Sequence, residues 1–233
     1  MISVVLPCVN ELRHGYLERI LQNLCQQQGA KELIAVLSPS GDGTAQLLAR
    51  YPEVNLIQAQ ASNRAQRLNL GLQAARGEGI LLHHPATLLP ERMALSLIEQ
   101  SLANQNVHWG GFYHSFDMDH WLLRFTSWYS NRVRSRLGQT LYLDHCIFAR
   151  RTTLLALGGV PDMDIFEDTA LSQRLRAYGP PQLLPAPVVT SARRFKQRGV
   201  YRQATLNQLL KLMYHAHIDP VWMNRLYERS SQI

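Results

Sequence analysis

Gly79-Ile80-Leu81-Leu82-His83-His84-Pro85-Ala86-Thr87 is the stretch that decides the fold. A short apolar run stops abruptly at a polar turn containing proline. The run reads as a strand buried on both faces, as in a parallel sheet covered by helices. Ligands of open α/β sheets bind outside the carboxyl ends of the strands. The turn after Leu82 is therefore where chemistry is expected.

Upstream, strands and helices alternate. Ile2–Leu6 is a β-branched, apolar strand that ends at Pro7-Cys8-Val9-Asn10-Glu11. Tyr16, Leu17, Ile20, Leu21 and Leu24 then recur at helical spacing, and Gly29 stops that helix. Leu33–Leu37 is the second strand and runs into the tight turn Ser38-Pro39-Ser40-Gly41-Asp42-Gly43-Thr44, which opens a helix closed by Pro52. Val54–Ile57 is the third strand. Asn63 caps a helix that carries Ala65, Leu68, Leu72 and Ala75 inward, with Gly77 as its stop. This repetition predicts an α/β fold with a mostly parallel, Rossmann-like sheet flanked by helices.

Downstream the pattern loosens. Glu91–Ala103 reads as a helix, Val107–Phe116 as a strand of mixed character and Trp121–Leu137 as a helix rich in aromatics and arginine. Asp144–Arg150 reads as a short strand and Phe166–Tyr178 as a helix. Val188–Phe195 reads as extended and then basic, Gly199–His217 as a long helix, and a short helix follows Pro220.

The chain has 233 residues, 46% hydrophobic and 18% charged, enough for one sizeable core. No linker, repeat or low-complexity stretch divides it, so residues 1–233 are expected to form one domain. No apolar stretch reaches the ~20 residues that span a bilayer. The N-terminus has no signal-peptide pattern. Three cysteines without metal-ligand spacing fit a reducing cytoplasm. The net charge of +7 favours an anionic partner, and the excess gathers in Arg124–Arg136 and Arg193–Arg202.

Asp168 shares a helical stripe with Leu171, Leu175 and Tyr178, so it faces inward from the first helical turn. A carboxylate there can take a proton from a hydroxyl group; acidic residues are also common in first turns for their dipole alone. The turn from Ser40 to Thr44 offers backbone N–H groups to an anion or ribose, or is simply a turn. Arg64 is a candidate for a diphosphate oxygen or a solvated charge. The run Arg193-Arg194-Phe195-Lys196-Gln197-Arg198 suits a diphosphate clamp, against a solvated loop or a lipid-facing patch. Trp121-Leu122, Phe125, Trp128-Tyr129 and Val133, followed by Arg132, Arg134 and Arg136, form one apolar face. We expect it in the core, ahead of a membrane interface or a cover for a lipid-linked acceptor. His83-His84 is a poor metal pair, because adjacent strand residues face opposite ways.

The order of these motifs resembles the family 2 glycosyltransferases of the GT-A fold, in particular a small bacterial branch, over nearly the whole chain. The matching pieces are Ser3-Val4-Val5-Leu6-Pro7 with Asn10-Glu11, Glu32-Leu33-Ile34 leading to Ser40-Gly41-Asp42-Gly43-Thr44, and Arg64-Ala65 with Asn69. The strand ending at His84, Phe148-Ala149-Arg150-Arg151, Gly158-Gly159-Val160-Pro161, Glu167-Asp168 and Thr190-Ser191-Ala192-Arg193-Arg194-Phe195 with Gly199 complete them.

The resemblance implies a nucleotide-binding half, 1–115, and an acceptor and catalytic half, 116–233. It implies that Pro7, Asn10, Glu11, Ser40 and Asp42 line a nucleoside pocket. Arg64, Asn69 and His84 would lie near the base or diphosphate. Asp168 would be the catalytic base with Glu167 beside it, Asp144 would sit near the acceptor, and Arg193, Arg194 and Arg198 would close over the phosphates. The partner is then a nucleotide-diphosphate sugar, with an acceptor that is unknown or lipid-linked and peripheral contact with the inner membrane face.

Two positions depart from the family pattern. Leu37 stands where the family carries an Asp at the end of the second strand, and His84-Pro85-Ala86 stands where it carries the metal-binding Asp-x-Asp. No metal ligand is assigned, and a loosely held Mg²⁺ or Mn²⁺ is left open. The expected function is inverting glycosyl transfer. The alternative is a non-catalytic relative acting as a scaffold or an anion sensor. Nucleic-acid binding ranks last, because no basic-aromatic module is present.

Overall fold

A computed structural model of the chain describes residues 1–12 and 15–229. The first half alternates as its apolar runs dictate: β1 (Ile2–Cys8), α1 (Leu17–Cys25), β2 (Lys31–Leu37), α2 (Thr44–Leu48), β3 (Val54–Gln58), α3 (Arg64–Ala74) and β4 (Gly79–Leu82). Then come β5 (Thr87–Leu88), α4 (Ala94–Ala103), β6 (Trp109–Phe116), α5 (Trp121–Tyr129), a π-helical turn (Ser130–Arg134) and α6 (Ser135–Leu137). A 3₁₀ turn (Leu143–His145), β7 (Ile147–Arg150), α7 (Arg151–Ala156), α8 (Glu167–Leu175), a 3₁₀ turn (Arg176–Tyr178) and β8 (Gln182–Thr190) follow. The chain closes with α9 (Arg193–Arg198), α10 (Val200–His215) and α11 (Pro220–Arg229).

One eight-stranded sheet runs through the molecule in the order β3-β2-β1-β4-β7-β6-β8-β5. The pairs β3-β2, β2-β1, β1-β4 and β6-β8 are parallel. Strand β7 runs antiparallel to both neighbours, and β5 runs antiparallel to β8. Side chains alternate across the sheet. Val4, Leu6, Leu33, Ala35 and Leu81 pack on one face with α1 and α4. Val5, Ile34, Val36, Ile80 and Leu82 pack on the other with Ala65, Leu68 and Leu72 of α3 and Leu171 and Leu175 of α8. Helix α3 approaches closely because residue 71 is glycine: a Cβ there would lie 2.2 Å from Val5 Cγ1. As expected, Asn63 caps α3, its side chain accepting from the Gln66 N–H at 2.9 Å. Among the described residues no helix is long and apolar enough to cross a membrane.

Several boundaries differ from expectation. Strand β1 continues through Pro7 to Cys8. The Val5 carbonyl accepts from His83 N–H and the Cys8 carbonyl from Ser38 N–H. Pro7 therefore faces the side where β4 has already ended, and its missing N–H leaves no gap in a ladder. Strand β8 begins at Gln182 rather than Val188, because a register shift between Phe112 and Tyr113 of β6 absorbs Pro185 and Pro187. Asp144 lies in a 3₁₀ turn rather than a strand, since Cys146 takes a left-handed conformation (φ 49°) before β7 starts. The basic segment after Ser191 is the short helix α9, stopped at Gly199. The single helix expected over Trp121–Leu137 is interrupted by the π-helical turn. The aromatic stripe of α5 is exposed rather than in the core: Leu123 is the buried residue of that helix.

Candidate active site

Helix α8 begins with an abrupt turn. Phe166 is left-handed (φ 64°, ψ 17°), which aims the first helical turn, Glu167 and Asp168, at the sheet's carboxyl edge. Both side chains are buried. The Nε of Arg64, from the start of α3, donates to Glu167 Oε1. Its Nη2 stands 3.8 Å from Asp168 Oδ2. That same Oδ2 accepts the Leu143 N–H at 2.8 Å, and Oδ1 accepts the Thr169 N–H at 2.7 Å. Burial first, and the charge of Glu167 second, push the Asp168 carboxyl up to about 6, against the pull of Arg64 and the Leu143 amide.

Asp168 is not closed off. It lies on the wall of a cavity of about 280 Å³ that also takes in Arg64, His84, Asp144, Arg193 and Arg194. Asp144 Oδ2 lies 3.4 Å from His114 Nε2, and its Oδ1 is buried without a hydrogen-bond partner. Burial opposes the Asp144 charge, but His114, His145 and Arg134 outweigh it and hold the group well below the usual carboxylate range. His84 is held neutral by burial and by the charge of Arg64. Its Nδ1 accepts from Ala86 N–H at 3.3 Å and lies 2.9 Å from Thr87 Oγ1. This network assigns the ring proton to Nε2, leaving a donor there.

Cations come to the cavity from later helices. Arg134, at the end of the π-helical turn, stacks 3.6 Å from the centre of the Tyr142 ring and donates to Ser130 Oγ. Lys211 of α10 lies 5.5 Å from the same ring centre. Burial and then the charge of Arg134 lower Lys211 to about 8. Arg194 stacks 4.2 Å over Tyr227 and pairs with Glu228 at 3.3 Å.

The structure thus brings together Arg64, His84, Asp144, Asp168, Arg193 and Arg194, with Glu167 behind Arg64. Other expected site residues lie elsewhere. Asn69 is a fold clamp: its Nδ2 donates to Val160 O at 2.8 Å and its Oδ1 accepts Val160 N–H at 2.7 Å, so both amide atoms are spent on one backbone unit. Arg198 donates to Gln203 Oε1 at 2.8 Å and to Tyr227 O at 3.0 Å, fastening α11 to α10 rather than lining the cavity.

Pro7, Asn10, Glu11, Ser40 and Asp42 form a separate cluster at the carboxyl ends of β1 and β2, off the cavity wall. There Asn10 N–H donates to Ser40 Oγ at 2.9 Å, and Gly41 N–H donates to Asn10 Oδ1 at 3.0 Å. Glu11 N–H donates to Thr44 Oγ1 at 2.9 Å, and Asp42 Oδ1 accepts from Thr44 N–H at 3.1 Å. Arg67, buried beneath these loops, donates to Ser38 Oγ at 2.9 Å.

Arg134, Tyr142, Lys211, His114 and Arg67 were not singled out as site residues from sequence. Only Arg134 had a sequence signal, the clustering of arginines after Trp128.

The GT-A resemblance implies a hard divalent cation at the end of β4. The residues there do not fit one. His84 Nδ1 is engaged by Ala86 and Thr87, Ala86 offers only a methyl group, and the stretch has no carboxylate, whereas Mg²⁺ and Mn²⁺ demand oxygen ligands. Among the described residues no three His, Cys, Asp or Glu side chains group as a ligand set.

A mostly parallel sheet with one reversed inner strand, flanked by helices, is the fold of the GT-A glycosyltransferases. The family profile described as glycosyl transferase family 2 matches residues 3–156, and the chain belongs to that family.

Among solved structures, the mannosyltransferase PcManGT from Pyrobaculum calidifontis, in complex with GDP-Man and Mn²⁺, is 23% identical. The match has a TM-score of 0.67 and covers 92% of this chain and 63% of that one. TarS from S. aureus is 16% identical at a TM-score of 0.67, over 82% of this chain and 36% of that one. A TarS 1–349 structure in complex with UDP-GlcNAc is 17% identical at 0.64, over 82% and 58%. The chain therefore spans less than two thirds of the length of these neighbours. A search of curated proteins by sequence finds no significant match.

Proposed function

We propose that the protein transfers a glycosyl group from a nucleoside-diphosphate sugar to an acceptor hydroxyl, with inversion at the anomeric carbon. The observation that carries this is Asp168: a buried carboxylate, raised to about 6, opening onto a cavity that also holds cations. Membership of glycosyl transferase family 2 supports it, as do the GDP-Man and UDP-GlcNAc held by structural neighbours.

In this mechanism Asp168 accepts the proton of the acceptor hydroxyl. The oxygen forms its bond to the anomeric carbon while the bond from that carbon to the diphosphate oxygen breaks. The electron pair leaves on the diphosphate, and one displacement inverts the centre. Arg193, Arg194 and Lys211 meet the charge that develops there, and His84 Nε2–H donates to it. Glu167 holds Arg64 in place beside the base. No step passes through a metal. The loops bearing Pro7, Asn10, Glu11, Ser40 and Asp42 take the nucleoside. On this view residues 1–115 bind the nucleotide, and 116–233 supply the acceptor side and the base. Arg64 and His84 are first-half residues that reach the shared cavity.

The test is a panel of UDP- and GDP-sugars assayed for transfer with and without chelator, and for binding by calorimetry. Transfer that survives chelator and is lost in Asp168→Asn supports the proposal. Binding without transfer would assign the chain to the non-catalytic alternative. Transfer abolished by chelator and restored by Mn²⁺ would overturn the metal-free version.

A further inference from the structure

Helix α5 turns an apolar stripe outward. Trp121, Phe125, Trp128 and Tyr129 recur at helical spacing and are exposed at 57%, 52%, 54% and 45%. A surface helix of a globular protein normally faces such a stripe to its core. Three of the rings group together, with Phe125 centred 5.8 Å from Trp128 and 6.4 Å from Tyr129. Trp121 Nε1 donates to the hydroxyl of Tyr201 on α10, itself exposed, at 3.2 Å. Arg132 and Arg136 follow at four-residue intervals from Trp128, and both are exposed. Leu137 beside them is 83% exposed.

The chemistry of the patch selects its occupant. Indole and phenol rings with one apolar body and one polar edge settle at the headgroup level of a bilayer. The exposed guanidinium groups of Arg132 and Arg136, which follow Trp128 in the chain, match anionic lipid phosphates. A second copy is disfavoured, since it brings two chains of net charge +7 together. Thr126 of α5 and Ser130 of the π-helical turn that continues it line the cavity wall, as do Gln203, Asn207 and Lys211 of α10. The patch and the cavity thus share two helices.

We propose that the outer face of α5, with Tyr201, docks the protein onto an anionic lipid surface, lying in the interface without crossing it. This inference rests on the exposed stripe and stands independently of the donor chemistry.

The experiment is co-sedimentation of the full chain with phosphatidylcholine vesicles, with and without phosphatidylglycerol, at low and high salt. Tryptophan emission is followed in parallel. We expect binding to the phosphatidylglycerol vesicles, a blue shift, and weakening by salt. The triple variant Trp121→Ser, Phe125→Ser, Trp128→Ser should bind at least ~10-fold more weakly, as interfacial affinity scales with buried apolar area. Its melting temperature should be kept. Arg132→Glu with Arg136→Glu should abolish the preference for anionic lipid while leaving the aromatic residues intact. No binding by the native chain, or binding unchanged in both variants, would overturn the proposal. So would a dimer, seen by light scattering, that the triple variant dissociates in a chain that ignores vesicles.

Discussion

Arg64 spends its Nε on Glu167 and leaves its Nη2 3.8 Å from Asp168 Oδ2, so one guanidinium serves two adjacent carboxylates unequally. Glu167 takes the closer contact, and Asp168 keeps a raised affinity for a proton. In the proposed reaction the pair would separate holding from reacting.

Asp168→Asn should lower kcat about 10²- to 10⁴-fold, the usual worth of a positioned general base. Stability should move the other way. The carboxyl rises from an ordinary 3.8 to about 6 in the fold, so the unfolded chain loses its proton more readily. The stability contributed by this group is present at low pH and lost as pH rises between those values. The Asn variant should therefore melt higher than the native chain at about pH 8 and gain nothing at about pH 4, as read by thermal denaturation at both values.

The pH profile of kcat/KM should be bell-shaped. Its lower limb should rise through about 6 as Asp168 ionises, and its upper limb should fall through about 8 as Lys211 loses its proton. Lys211→Met should remove the upper limb and lower activity across the range. Lys211→Arg should keep activity above about pH 8, because a guanidinium stays charged there. An upper limb that survives in the Met variant would assign it to another group.

Asn69→Ala should destabilise the fold by about 1–3 kcal/mol while leaving donor affinity unchanged. It removes both bonds to Val160 and strands that backbone unit. Denaturant unfolding and calorimetry read the two effects separately. A loss of donor affinity without loss of stability would return Asn69 to the site.

Gly71→Ala should cost about 1–3 kcal/mol by forcing α3 off the sheet, since its new methyl would meet Val5 Cγ1. Because α3 carries Arg64 at its start, activity should fall as well; unfolding curves and initial rates check the two together.

The first half of the fold was legible because strands buried on both faces write themselves as apolar runs. The second half hid for local reasons. Pro185 and Pro187 mask β8, whose bulge is visible only against β6. For α5 the spacing was right and the direction wrong: periodicity shows that Trp121, Phe125 and Trp128 share a face, but not whether anything covers it. The inward placement of Asp168 was legible because its helical phase is local. That of Lys211 and Arg134 was not, since they meet over Tyr142 only after the chain has folded back. The clamp that Asn69 makes was hidden for the same reason: its partner lies 91 residues away.

Strand β7 runs against β4, with Ile147 beside Leu82, so the segment that precedes it, carrying Asp144, arrives at the same rim that β4 exits. That rim is supplied by chain entering as well as chain leaving. Under the proposed reaction, descendants of such a scaffold could remodel the incoming segment, and with it the choice of acceptor, while leaving the outgoing turns as they are.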